Sequence, residues 1–179
     1  MKEPPLKREA SQTLFAALKM LARRDYFRAE LKDRLAKKDF RPEVIEEVLN
    51  HCTEMGYLDD ATLAKRFAEL RAPSRGWGPT RIRAELMTRG VDEATSVKAS
   101  ELPGSVHEQA MATALRRASA RARDGWWRTG EGRSLMISSL LRRGFEPEEA
   151  RRTVGRQRVK REAADHAIDD QPGDPEGIS

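Results

Sequence analysis

Arginine is the residue type with which this 179-residue chain can do chemistry, and the chemistry it suits is the holding of anions. Arg71, Arg75, Arg81, Arg83 and Arg89 lie in a stretch, 71–91, whose sole acid is Glu85. Trp77 sits among them between Gly76 and Gly78, as either an exposed binding anchor or a ring folded down on a helix pair. A second set, Arg116, Arg117, Arg121 and Arg123, has the spacing of a basic face on one long helix, and Trp126 and Trp127 follow directly. Arginines beside tryptophans can stack on bases or hold an acidic partner, though at least one of these rings is expected to close a core.

Other chemistry is poorly provided for. His51, His107 and His166 are scattered, without the spacing of a metal pair. Cys52 falls on the apolar face of its helix, which reads as a buried structural thiol, and a lone cysteine forms no intramolecular disulfide. GWGP at 76–79 lacks the Lys-Ser or Lys-Thr of a phosphate loop. No catalytic, cofactor or metal site is expected, and the chain is not read as an enzyme.

Composition narrows the class further. Charged residues make up 35% and aromatics 6%, which favours small helical units over one large core. There is no apolar run of membrane-spanning length and no signal-peptide pattern, so a soluble cytoplasmic protein is expected, without a membrane partner. Net charge is +5, unevenly spread: residues 106–161 carry a balance of +8, and residues 162–179 carry six acids and no Lys or Arg. A body so basic implies weak affinity for a polyanion or an acidic protein surface, although a basic cluster is often only a solvated face.

The elements that must position these arginines repeat. Leu31, Ile82 and Met136 align, as do Leu35, Leu86 and Leu140 four residues later, and then Phe40, Val91 and Phe145. Before the last three come Asp39, Gly90 and Gly144, preceded by Lys38, Arg89 and Arg143. An apolar pair at i, i+4 marks one helix face, a basic residue suits the negative end of the helix dipole, and Gly supplies a left-handed stop. Asp39 can take that conformation at some cost. The offsets of 51 and 54 residues read as one helical unit used three times. The expected organisation is a disordered arm at 1–10, repeats at 11–57, 58–102 and 105–161, and an acidic disordered tail at 162–179. Expected inward faces include Leu63, Phe67 and Leu70 in the second repeat, followed by a loop from Ala72 to Gly78. Tyr57 is expected to pack on the stop at Gly56, and Asp59 or Asp60 to cap the next helix.

Taken together, GYLDD at 56–60, GWGPTRIRAELMTRGV at 76–91 and ALKMLARRDYFRAELKDRLAKKDF at 17–40 resemble the RecX family of bacterial recombination regulators. The resemblance runs in order from about residue 14 to 160. It implies an all-α, elongated and curved molecule of three tandem three-helix repeats. It also implies a non-enzymatic modulator that binds the RecA recombinase filament, lodges in its helical groove, and suppresses strand exchange, ATP hydrolysis and co-protease activity. This chain departs from the pattern at Asp39, where Gly is usual, in the polar third helix of repeat two, and in the acidic tail. With local charge and the predicted outward faces, it puts a partner site at Arg71, Arg75, Trp77, Arg81, Arg83 and Arg89, flanked by Arg116, Arg117 and Arg121. A monomer is expected, with weak binding of single- or double-stranded DNA beside RecA. Two other readings share these residues: a helix-turn-helix DNA reader with PTRIRAELMTRG as recognition helix, and a non-specific polyanion binder.

Overall fold

In a computed structural model, which describes residues 5–122 and 124–169, every element is helical. The order is α1 (Pro5–Leu21), α2 (Arg28–Ala36), α3 (Pro42–Glu54), α4 (Asp60–Arg75), α5 (Pro79–Thr88), α6 (Glu93–Ser100), α7 (Gly104–Ser119), α8 (Gly130–Leu141) and α9 (Pro147–Asp169). A single 3-10 turn, Trp126–Arg128, precedes α8. Helices α1–α3, α4–α6 and α7–α9 form the three repeats of an elongated helical fold.

The repeat register is visible in burial and backbone. Leu31, Ile82 and Met136 are buried, as are Leu35, Leu86 and Leu140. Asp39, Gly90 and Gly144 all have positive φ, at 61°, 82° and 84°. Pro42, Pro79 and Pro147 open the helices where their missing N–H costs nothing. Val44, Ile45, Val48, Leu49 and Cys52 line the inner face of α3, and burial pushes the Cys52 thiol up from its ordinary pKa.

Physical reasons account for the departures from expectation. Helix α1 starts at Pro5, inside the expected arm. The Glu9 carboxylate accepts from the Arg41 backbone N–H (3.1 Å) and Nε (2.8 Å), which ties this early turn to the start of α3. Helix α9 likewise runs through 162–169, where Asp165 accepts from Arg128 at 2.8 Å. Residues 1–4, Arg123 and 170–179 lie outside the described residues. Helix α4 continues through Pro73, and the Ser74 hydroxyl returns to the Leu70 carbonyl at 2.7 Å. Its buried face is Ala64, Ala68 and Ala72, whereas Leu63 and Phe67 are half-buried and Leu70 is 69% exposed. Packed between α6 and α7, α4 needs small residues, and α6 answers with buried Ser96 and Ala99. At Gly56 the core contact falls to Leu58, and Tyr57 stays exposed.

Two cores result. Repeat one has its own, built on Ala17, Leu31, Leu35, Ile45 and Leu49. Repeats two and three share a second, from Ala64 through Leu86 and Trp126 to Val154, which Phe27 enters from the α1–α2 connection. Asp59 caps α4 by accepting from Thr62 N–H at 2.9 Å, and Asp92 caps α6 through Thr95 at 2.9 Å. Hydrogen bonds from Thr62 hold Asp59 below its ordinary carboxylate pKa.

Ile82→Ala should cost about 2–4 kcal/mol through lost burial and the cavity left in the shared core, read as a lower thermal midpoint. Asp59→Ala should cost about 1 kcal/mol at neutral pH. Because the folded pKa of Asp59 is depressed, its contribution is present above the unfolded value and lost as pH falls through the folded one. The gap in midpoint between wild type and Asp59→Ala should therefore narrow on acidification, and a gap that widened would contradict the cap.

Candidate partner-binding surface

Each repeat meets its predecessor through the same local geometry. The stop glycine of α5, Gly90, lies so close to α2 that a Cβ there would run into Ala29. The stop glycine of α8, Gly144, lies against the backbone of Arg81 at the start of α5, and a Cβ on Gly78 would meet the Gly144 carbonyl. Two backbone bonds seal this second junction, Gly78 N–H to the Arg143 carbonyl (2.8 Å) and Thr80 N–H to the Gly144 carbonyl (3.2 Å). At the first junction Asp60 completes the contact by accepting from Arg28 N–H at 2.9 Å. Burial pushes the Asp60 carboxyl above its ordinary pKa, partly offset by that bond.

The arginine before each stop glycine clamps its junction, in two different ways. Arg89 donates to Glu30 at 3.0 Å and to Glu85 at 3.4 Å, with its guanidinium 4.9 Å from the Phe67 ring centroid. Arg143 instead donates to the Arg75 carbonyl at 2.9 Å. Arg117 joins it there, donating to the Arg75 and Ser74 carbonyls at 2.9 Å each. Cations suit the carboxyl end of a helix, whose last carbonyls lack partners and carry the negative end of the dipole. Burial lowers the Arg143 pKa, and the neighbouring charges of Arg117, Arg121 and Arg142 lower it further.

The expected site residues therefore divide. Arg117 and Arg121 come together with Arg143 at the end of α4, where Arg75 contributes its carbonyl. Arg121 lies past the end of α7, not on it, and lines a groove of about 600 Å³ with Arg142, Trp126, Leu135, Asp124 and Glu131. Arg116 is exposed on α7. Trp77 is folded down, half-buried against the shared core, with Arg81 5.5 Å over its ring. Arg71 lies 5.7 Å from the Phe67 ring centroid. Arg83 is paired with Glu93, and Arg89 is held in the first junction. Among the described residues no carboxylate pairs with Arg71, Arg75, Arg81, Arg116, Arg117, Arg121, Arg142 or Arg143. Trp126 closes the core, and Arg161 lies 4.6 Å over Trp127. Arg142 and Arg143 were not expected in a site: in the repeat alignment Arg143 reads only as a helix-end cation. The available signal was at the position of Glu30, where the second repeat carries Arg81. Among the described residues no cluster of His, Cys, Asp and Glu could hold a metal, and no helix is long and apolar enough to cross a membrane.

A row of fused three-helix repeats with unneutralised arginine on its body defines a protein of the helical-repeat class. Family models described as the first and second three-helix domains of RecX match residues 15–52 and 59–99. The regulatory protein RecX of Thermus thermophilus is 38% identical over 75% of this chain and 84% of its own length. That of Thermobifida fusca is 35% identical over 84% of each chain. The crystal structure of RecX from Lactobacillus salivarius matches with a TM-score of 0.73 at 20% identity, covering 86% of this chain and 98% of that one. This chain belongs to the RecX family.

Gly144→Ala should destabilise repeat three more than Gly56→Ala destabilises repeat one. Both lose the left-handed glycine, about 1–2 kcal/mol, but only Gly144 has backbone in the way of a Cβ. Amide hydrogen exchange should show faster opening of α8 and α9 in Gly144→Ala, and equal losses in the two variants would remove the junction from the account.

Proposed function

We propose that the chain is a non-enzymatic modulator that binds the RecA recombinase filament, lodges in its helical groove, and suppresses strand exchange, ATP hydrolysis and co-protease activity. It acts in the cytoplasm as a monomer, with RecA as its protein partner and weak affinity for single- or double-stranded DNA. The observation that carries this reading is the free arginine set on the RecX-type repeat body, Arg71, Arg75, Arg81, Arg116 and Arg121. A repeat protein offers an extended surface that can span adjacent subunits of a filament, so that several weak contacts act as one. Arginine suits both carboxylates and phosphates on such a partner.

Geometry disfavours the helix-turn-helix reading. A recognition helix reads bases with its N-terminal residues. In α5 that end is packed on repeat three through Thr80, Arg81 and Gly144. The polyanion reading uses the same cations and separates by its dependence on RecA.

RecA ATPase on single-stranded DNA should fall when the chain is added well below the RecA concentration. Arg81→Glu/Arg116→Glu should raise the concentration needed for inhibition by about tenfold or more, with the helical circular dichroism unchanged. Inhibition that follows the DNA concentration and ignores that of RecA would replace this proposal with simple polyanion binding.

A further inference from the structure

The two repeat junctions share a stop glycine pressed on the preceding repeat's second helix and have opposite electrostatics. In the first, Arg89 lies between Glu30 and Glu85 and is neutralised. In the second, the position of Glu30 is Arg81, and Arg143 has Arg117, Arg121 and Arg142 as its charged neighbours. Two guanidinium nitrogens, from Arg117 and Arg143, lie within 2.9 Å of one carbonyl oxygen, that of Arg75. Folding therefore concentrates like charge at a place where burial already disfavours it. Like-charge crowding destabilises a fold unless an anion completes it, so this arrangement marks a site.

We propose that Arg117, Arg121, Arg142 and Arg143, gathered around the Arg75 carbonyl at the junction of repeats two and three, form a cradle for the phosphodiester backbone of a nucleic acid. The inference deepens the filament reading and rests on it: it names the component of a nucleoprotein filament that this surface takes. Phosphate fits better than carboxylate because the donors converge from two helix ends, those of α7 and α8, onto one small patch. Guanidinium groups bind phosphate through several directed N–H bonds at once. A strand of phosphates also presents its charges in a row, and the Arg121–Arg142 groove continues the patch. Asp124 and Glu131 also line that groove, and neither is ion-paired with Arg121 or Arg142. Arg117 and Arg143 are anchored by carbonyls and hold the cradle's shape, whereas Arg121 and Arg142 supply charge to the ligand.

The test uses the full chain and a labelled single-stranded oligonucleotide, with binding followed by fluorescence anisotropy across a salt series. The variant is Arg121→Ala/Arg142→Ala, and the control for equal loss of charge is Lys37→Ala/Lys38→Ala, on exposed residues of repeat one. The cradle variant should weaken DNA binding about fivefold or more and lower the slope of log affinity against log salt by about 1–1.5, near 0.7 per lost phosphate contact. The control should change affinity less than about twofold. Thermal stability of the cradle variant should hold or rise, because repulsion is relieved, so that a loss of binding cannot be ascribed to unfolding. Equal losses in variant and control, or no loss in either, would overturn the cradle in favour of diffuse attraction. Unchanged DNA binding with lost inhibition of RecA ATPase would assign the patch to an acidic protein surface and overturn it too. If wild-type protein binds DNA as expected and does not inhibit RecA, the filament reading fails while the cradle stands.

Discussion

Contact between the stop of one helix and the start of another, in the preceding repeat, is the constraint on which the rest of this structure depends. Backbones approach there closely enough that Gly144 and Gly78 leave no space for a Cβ on either side. The bonds from Gly78 and Thr80 to the Arg143 and Gly144 carbonyls fix the orientation of repeat three on repeat two. That orientation lets α4 pack on α7 through alanines and merges two repeats into one core. It also determines where Arg143 can reach, and so where positive charge collects. Asp39 fits the same logic: it occupies the equivalent stop in repeat one with φ 61°, but it is exposed, and a Cβ there meets solvent instead of another backbone.

Much of this was legible in the chain, because side-chain period and stop chemistry are local. The i, i+4 pairs Leu31/Leu35, Ile82/Leu86 and Met136/Leu140 declare a buried face regardless of what covers it. Positive φ at Gly90 and Gly144 follows from the need to end a helix before an apolar residue. The inner face of α4 was not legible. Leu63, Phe67 and Leu70 are the larger apolar residues, yet the neighbours α6 and α7 select the alanine stripe by their closeness. Hydrophobicity ranks side chains by transfer from water, whereas packing between two close helices ranks them by size.

Individual arginine roles were the least legible part. Arg83, Arg89 and Arg117 are indistinguishable from Arg75, Arg81 and Arg116 by type and local spacing. What separates them is tertiary: Glu93 faces Arg83, Glu30 faces Arg89, and the carbonyl end of α4 faces Arg117. The same indeterminacy hid Arg142 and Arg143, since only the packing of repeat three shows that Arg143, just past α8, reaches the carbonyl end of α4.

The choice of anchor decides whether an arginine stays available. Arg89 is held by carboxylates, which cancel its charge as they position it. Arg117 is held by the neutral carbonyls of Ser74 and Arg75, which use two of the guanidinium's five N–H donors and leave its formal charge in place. The end of a helix carries only partial negative charge, enough to orient a cation and too little to neutralise it. A surface that must be both rigid and strongly positive is therefore better built on helix ends than on salt bridges, and the second junction is built in that way. The first junction is closed by glutamates, which leave Arg89 no net charge to offer. One repeated glycine stop thus leaves Arg89 neutralised by carboxylates in one place and Arg143 among other arginines in the other.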